Sequence, residues 1–391
     1  MQELIFGLAV LIFSASLFKF AEGLYASRLV PDLAAEIPPD VALGPRPPRL
    51  SVIVPACNEE RSIETAVRSL LEQDYPALEL VLVNDRSTDA TGAIMDRLAA
   101  EFPQLRVVHI DHLPDRWLGK NHALWVGAHQ SSGEILLFTD ADVHYHKTAL
   151  RRAVAFLERR RLDHLTLAPD MTVQGYLLQA WVGFFIMAFL AYKTPYLANN
   201  PRSRVGMGIG AFNMIRREGY ERIGTHQAIS LRPDDDLRLG QRLKRMGLTS
   251  NVAMGRDLLS VEWYTSLGEG IRGLEKNTFA GLEYSLFMVL FSVTGILTIM
   301  VWPFIALFIA SGWAQALYAG AILLQLATYV MANQMMGPRA LHLALAYPLS
   351  ALLFAFTVAR ASYLTLRHGG ITWRGTFYPL ALLKSQSGLP R

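Results

Sequence analysis

Cysteine is nearly missing from this chain. Its 391 residues contain one, Cys57, so no internal disulfide can form and a reducing compartment is the natural setting. Zinc-type ligand spacing is missing too, because one cysteine and scattered histidines provide no paired ligands. Charge is sparse: Asp, Glu, Lys and Arg make up 18% of the residues and the formal net charge is only +4. An excess that mild does not mark a nucleic-acid partner; an anionic membrane face or an anionic substrate suits it better. No cationic stretch precedes the first apolar run, which follows Met-Gln-Glu, so the opening of a cleaved secretory signal is absent. Apolar character is what the chain has in quantity. At 52% hydrophobic residues and a mean hydropathy of +0.25 it is too greasy for an ordinary soluble protein, and membrane segments are expected.

The apolar character is unevenly spread. Residues 1–28 carry one run, Leu4 to Leu24, interrupted only by Lys19 and Glu22, and read as a retained transmembrane anchor. Lys19 and Arg28 follow its apolar core, so the positive-inside rule puts the following domain in the cytoplasm and the protein in the cytoplasmic (inner) cell membrane. Residues 29–49, rich in proline, read as an extended linker with no core of their own. From 50 to 281 short aliphatic strands ("LSVIVPA", "LELVLVND", "LRVVHID", "EILLFTDADV") alternate with segments of helical spacing. That alternation predicts an α/β domain with a mostly parallel, Rossmann-like sheet, whose ligands bind at the carboxyl ends of the strands. Residues 175–197 are long and aromatic enough to meet a membrane, but a span there would split the domain across the bilayer, so an interfacial helix is expected. Three spans are expected after 282, near 286–310, 314–334 and 341–364, with Pro303 placed to kink the first and Gln325 and Asn333 weakening the second. Three spans leave the basic tail 366–391 (Arg367, Arg374, Lys384, Arg391) outside, against the positive-inside rule, so either one span is re-entrant or the rule fails here.

The strand ends carry the chemistry. "LLFTDADV" drives an apolar strand into Asp140 and Asp142, and the other strands end in Asn58-Glu59-Glu60 and Asp85. Carboxylates converging at strand ends repel one another unless a cation or hydrogen-bond donors offset them. A hard divalent ion, Mg2+ or Mn2+, suits one or two carboxylates completed by water and phosphates. His144 and His146 follow the acidic pair and read as loop residues, Cys57 as a small buried one. Lys120, beside Gly119 at a helix start, can meet an anion there. Asp234, Asp235 and Asp236 open a further helix, where the dipole favours negative charge; three in a row exceed what a cap needs.

"VIVPACNEE", "LVNDRSTDAT", "WLGKNHAL", "LLFTDADV" and "DDDLRLGQRLKRMG", in that order, resemble the successive signatures of family 2 inverting glycosyltransferases of GT-A fold. The resemblance covers roughly residues 50–280, and the added membrane segments are most similar to the branch acting on lipids, which includes ceramide glucosyltransferases and carotenoid- or hopanoid-associated enzymes. It implies a nucleotide-diphosphate sugar as donor, a divalent metal, and transfer of a hexose to a hydroxyl or carboxyl of a membrane lipid. It further implies that Pro55, Ala56, Glu59 and Asp85 receive the nucleobase, Lys120 the diphosphate and Asp140 the ribose, with Asp142 on the metal. The family's "EDxxL" pattern maps onto Asp235 to Leu239 with Asp for Glu, which makes Asp236 the expected base and Asp235 its neighbour. Its Gln-x-x-Arg-Trp motif survives only as Glu269-x-x-Arg272-Gly273. Arg272 can still bind phosphate, with Lys276 and Asn277 as substitutes, but the loss disfavours a processive polysaccharide synthase. A non-catalytic sugar-nucleotide-binding membrane protein would be expected to lose Asp85, Lys120, Asp142 or Asp236, and all four are present. Glycines 208 and 210 read as a turn or a close approach for the sugar; His226 has no role readable from sequence.

Overall fold

The structure is a computed structural model describing residues 2–333 and 340–386, so the far end of the 314–334 segment and Arg391 lie outside the described residues. It divides into an α/β unit, Val30–Met171 with Pro195–Glu262, and a helical unit formed by the rest.

The strands are Leu50–Ala56 (β1), Leu78–Asp85 (β2), Leu105–Ile110 (β3), Ile135–Phe138 (β4), Val143–Tyr145 (β5), His164–Ala168 (β6), Asp170–Thr172 (β7), Asn213–Arg216 (β8), Ser250–Met254 (β9) and Leu259–Glu262 (β10). Seven form one sheet in the order β3-β2-β1-β4-β8-β6-β9. Pairing is parallel except around β8, which runs antiparallel to both β4 and β6. The continuous aliphatic runs are explained by burial on both faces. Val52, Val54, Leu80, Leu82 and Leu137 enter one core, and Ile53, Val81, Val83, Leu136 and Phe138 enter the other. The order β2-β1-β4 sets the ends bearing Asp85, Asn58 and Asp140 side by side.

Two expectations are corrected in this unit. "EILLFTDADV" is not one strand: β4 stops at Phe138, and after Thr139–Asp142 the chain re-forms as β5, which pairs antiparallel with β10. The two aspartates thus sit in the break, fixed by the Tyr145 and Thr139 hydroxyls meeting at the Ala211 carbonyl. The proline-rich segment is also not a linker without a core. Asp32 caps the short helix Leu33–Glu36, and Leu33, Ile37 and Val41 are buried with the residues of the main sheet. Apolar residues four apart gave that helical turn an inward face which the prolines masked.

Among the described residues, five helices are long and apolar enough to cross a membrane: Gln2–Ala26, Tyr176–Lys193, Leu286–Ile309, Gly312–Ala332 and Leu341–His368. Tyr176–Lys193, expected as an interfacial appendage of the α/β domain, instead belongs to the helical unit. There Trp181 and Phe184 are fully buried, and Tyr329 donates from its hydroxyl to the Ala180 carbonyl. The helix Leu267–Gly281 also belongs to this unit, so the α/β domain is shorter than the 50–281 expected. Part of the basic tail folds as a hairpin, Gly370–Trp373 with Thr376–Pro379.

Pro303 has a visible consequence. The span Leu286–Ile309 widens into a π-helical stretch, Ile296–Val301, just before it. Pro303 has no N–H to give the Ile299 carbonyl, and Gln325 supplies one from the neighbouring helix at 2.8 Å while also donating to Ser16 at 3.1 Å. The polar residue that weakens the second span as a hydrophobic segment therefore completes the first. Gln325→Leu should cost about 1–2 kcal/mol, the worth of an interhelical hydrogen bond with a stranded carbonyl. A lowered thermal midpoint of the detergent-solubilised variant checks this; an unchanged midpoint rejects it.

Candidate active site

The loop ends of the sheet are built before any ligand is considered. Asn58 takes a left-handed conformation and accepts from the Thr88 N–H, while Glu60 accepts from Ala90 N–H. Both residues tie the β1 and β2 loops together, while Glu59 acts on the Asp142 carboxylate. Pro55 and Ala56 end β1 beside β2, whose last residue is Asp85. Asp85 is buried, and its carboxylate is held by the Arg86 guanidinium through Nε at 2.7 Å and Nη2 at 3.1 Å. Gly119 lies directly against it: a Cβ there would collide with the Asp85 carboxylate. This close approach brings the helix Gly119–Gln130, and with it Lys120, to the end of β2.

Lys120 is the electrostatic hub. Its Nζ is 2.7 Å from Asp140 Oδ1 and 3.8 Å from Asp235 Oδ2. Burial works against its charge, but Asp140, Asp235 and Asp236 outweigh burial and raise its pKa, so it is a cation at any physiological pH. Burial, with Asp140 and Glu59 nearby, pushes Asp142 up to about 7. Burial likewise raises Asp235 and Asp236, with Lys120 opposing the rise. Asp236 receives the Gly210 N–H on Oδ2 and the Leu237 N–H on Oδ1, each at 2.7 Å. Gly210 itself leaves no space for a side chain, since a Cβ would stand 2.7 Å from Asp140 and 3.4 Å from both Asp236 and Lys120.

Asp234 plays a different part from its two neighbours. Burial alone would raise its pKa, but Arg232 and Arg238 flank it and hold the carboxylate below its usual range. It is the anchor of the helix Asp235–Arg245 rather than an available base. Asn121, beside Lys120, donates to the carbonyls of Ile229, Ser230 and Arg232, so one buried amide fastens the lysine helix to the segment leading into the acidic run. Sequence reading passed over Asn121, Arg232 and Arg238; Asn121 carried no local signal, because its acceptors lie more than a hundred positions further along the chain.

His164 supports the Asp236 backbone from behind. Its Nε2 faces Asn213 Oδ1, an acceptor, so Nε2 carries the proton, and Nδ1 takes one from the Ser250 hydroxyl. Asn213 then donates to the Asp236 carbonyl. Burial pushes His164 down to about 4, against about 6.5 in an unfolded chain. Between those values the unfolded chain binds a proton that the folded chain refuses. The His164 contribution is therefore complete above about pH 6.5 and is lost as pH falls towards 4. Asp142, with its raised pKa, acts in the opposite sense over much of this range, so His164 is isolated by comparison with His164→Gln. The stability advantage of the wild type over this variant should shrink by about 2 kcal/mol between pH 6.5 and 5. Parallel denaturation curves at the two pH values would contradict this.

Lys120, Asp140, Gly210, Asp235, Asp236 and His226 all line one cavity. Asp142 adjoins it through its interaction with Asp140, Glu59 through its interaction with Asp142, and Asp85 through Gly119. Arg272 is not in this unit: it lies on Leu267–Gly281 of the helical unit, where Lys276 stands 4.1 Å from the centre of the Trp373 ring. His144 is exposed on β5, and the His146 ring bonds to Thr148. Among the described residues no three or more His, Cys, Asp or Glu are grouped to hold a metal unaided. One carboxylate pressed by two others still fits a hard divalent ion whose remaining ligands are water and phosphate oxygens.

A parallel sheet with one reversed strand, and paired carboxylates in the break after its central strand, define a GT-A nucleotide-diphospho-sugar transferase domain. Residues 51–224, a little under half of the chain, match Glycosyl transferase family 2. It is similar to the beta-monoglucosyldiacylglycerol synthase of Synechocystis sp., 37% identical over 142 residues that cover 35% of this chain and 29% of that protein. It is 22% identical over 228 residues to the 4,4'-diaponeurosporenoate glycosyltransferase of Staphylococcus aureus, covering 58% of this chain and 59% of the relative. The matches thus span less than two thirds of either relative. Among solved structures, a mannosyltransferase from Pyrobaculum calidifontis in complex with GDP-Man and Mn2+ shares the fold at a TM-score of 0.54 and 21% identity, over 92% of this chain and 98% of that one.

Proposed function

We propose that this chain is a membrane-bound inverting glycosyltransferase that moves one hexose from a nucleotide-diphosphate sugar to a hydroxyl, or a carboxyl, of a lipid. The observation carrying this reading is the gathering of Lys120, Asp140, Asp235 and Asp236 around one cavity at the strand ends. Asp85, Pro55, Ala56 and Glu59 receive the nucleobase, Asp140 faces the ribose, and Lys120 stands against the diphosphate. Asp236, positioned by Gly210 and its own helix, takes the proton of the acceptor O–H. The acceptor oxygen bonds to the anomeric carbon, the bond from that carbon to the phosphate oxygen breaks, and its electron pair leaves with the nucleoside diphosphate. A divalent cation held by Asp142 would neutralise charge on that leaving group. Arg272 is a further candidate phosphate ligand. The lipid acceptor rests on the five apolar helices and on two relatives whose names speak of a diacylglycerol and a diaponeurosporenoate.

Membranes containing the protein, incubated with a panel of radiolabelled nucleotide sugars and then extracted with organic solvent, test the reading. Label entering the lipid phase with one donor supports it. Label confined to a water-soluble polymer would replace it with a processive synthase, and no incorporation from any donor would remove the transferase.

A further inference from the structure

We propose that His226 reads a single hydroxyl of the donor hexose, an inference that rests on the donor reading above. His226 is buried, 1% exposed, in the wall of the cavity that holds Lys120, Asp235 and Asp236. Its ring is fixed from two sides. Phe138 meets it edge to face at 4.7 Å, and the Tyr220 hydroxyl lies 2.8 Å from Nδ1. That hydroxyl also accepts the His226 backbone N–H at 3.1 Å, so its single proton goes to Nδ1. The imidazole hydrogen is therefore on Nε2, and among the described residues nothing accepts it. A rigidly held N–H that opens on a polar cavity without an acceptor from the protein points to a ligand that supplies one.

The cavity states what that ligand atom is. Lys120 offers donors there, and Asp140, Asp235 and Asp236 offer acceptors. A neutral hydroxyl meets both sides at once: it accepts from Nε2–H and donates to a carboxylate. Tyr220 then acts through His226 by setting its tautomer. The substrate class that follows is a hexose with a free hydroxyl at this position.

The test is equilibrium binding to the purified full-length protein, with Mn2+ present, of UDP-glucose, UDP-N-acetylglucosamine and GDP-mannose, each beside its parent UDP or GDP. The wild type should hold at least one nucleotide sugar more tightly than its parent. In His226→Phe that sugar donor should weaken by about fivefold or more, while the parent nucleoside diphosphate binds as before. His226→Asn, which keeps an N–H, should recover part of the loss. Equal weakening of sugar donor and parent would make His226 a structural residue, and no weakening of either would leave the cavity to a water; both overturn the proposal. Wild type that binds none of these nucleotides would sink the donor reading itself.

Discussion

Asp236→Asn should lower sugar transfer by about a thousandfold, within the range that a positioned base contributes, and leave nucleotide binding nearly intact. The expectation comes from how Asp236 is held. Each of its oxygens accepts one backbone N–H, from Gly210 and from Leu237, so the carboxylate cannot swing away from the cavity. Burial raises its pKa, which brings its proton affinity towards that needed to take a hydroxyl proton near neutral pH. Asparagine has nearly the same size and keeps an oxygen for one N–H, so the fold should survive while the proton acceptor is lost. Transfer measured beside nucleotide affinity separates the two. A variant with full transfer would move the base elsewhere, and Asp235, nearest in chain and facing Lys120, would be examined next.

Asp142→Ala should abolish transfer for another reason, and it should carry metal-dependent nucleotide binding down with it. Asp142 stands in the break between β4 and β5, where burial, Asp140 and Glu59 all oppose its ionisation and Lys120 only partly compensates. Such crowding is a standing cost to the folded chain, and a bound divalent ion removes it. Alanine should therefore leave the protein no less stable without metal, while metal no longer strengthens nucleotide binding. Titration of UDP and GDP with and without Mn2+ reads this directly. A variant whose nucleotide affinity still rises with Mn2+ would take the metal away from Asp142. The two substitutions thus give opposite patterns: one loses the proton acceptor with binding retained, the other loses binding.

Much of this site was legible in the sequence because its parts are strand ends. Uninterrupted aliphatic runs such as "LVLV" fixed β1, β2 and β4 as strands covered on both faces, and the residues following them had to meet at one edge. The aspartates at 85, 140 and 142 needed nothing beyond that, whereas Asp235 and Asp236 open a helix and were singled out by the family's pattern. Residues acting across the fold were not legible. Asn121 reaches carbonyls more than a hundred positions away, and His164 reaches Ser250 across the sheet. His226 gains its meaning only from the Tyr220 hydroxyl and from the cavity it lines. The helix Tyr176–Lys193 was misplaced because continuity in sequence was taken for continuity in space; its buried Trp181 and Phe184 belong to the helical unit. In the same way Gln325 looked like a flaw in an apolar helix until the carbonyl freed by Pro303 came into view.

An experimental structure of the full chain with Mn2+ and a non-transferable nucleotide sugar would test the shared site most directly, with anomalous scattering used to locate the metal. The account predicts manganese within coordination distance of Asp142, the diphosphate against Lys120, the base at Asp85, and the hexose between Asp236 and His226. Manganese bound away from Asp142, or a sugar lodged outside the cavity lined by Asp235 and Asp236, would contradict it.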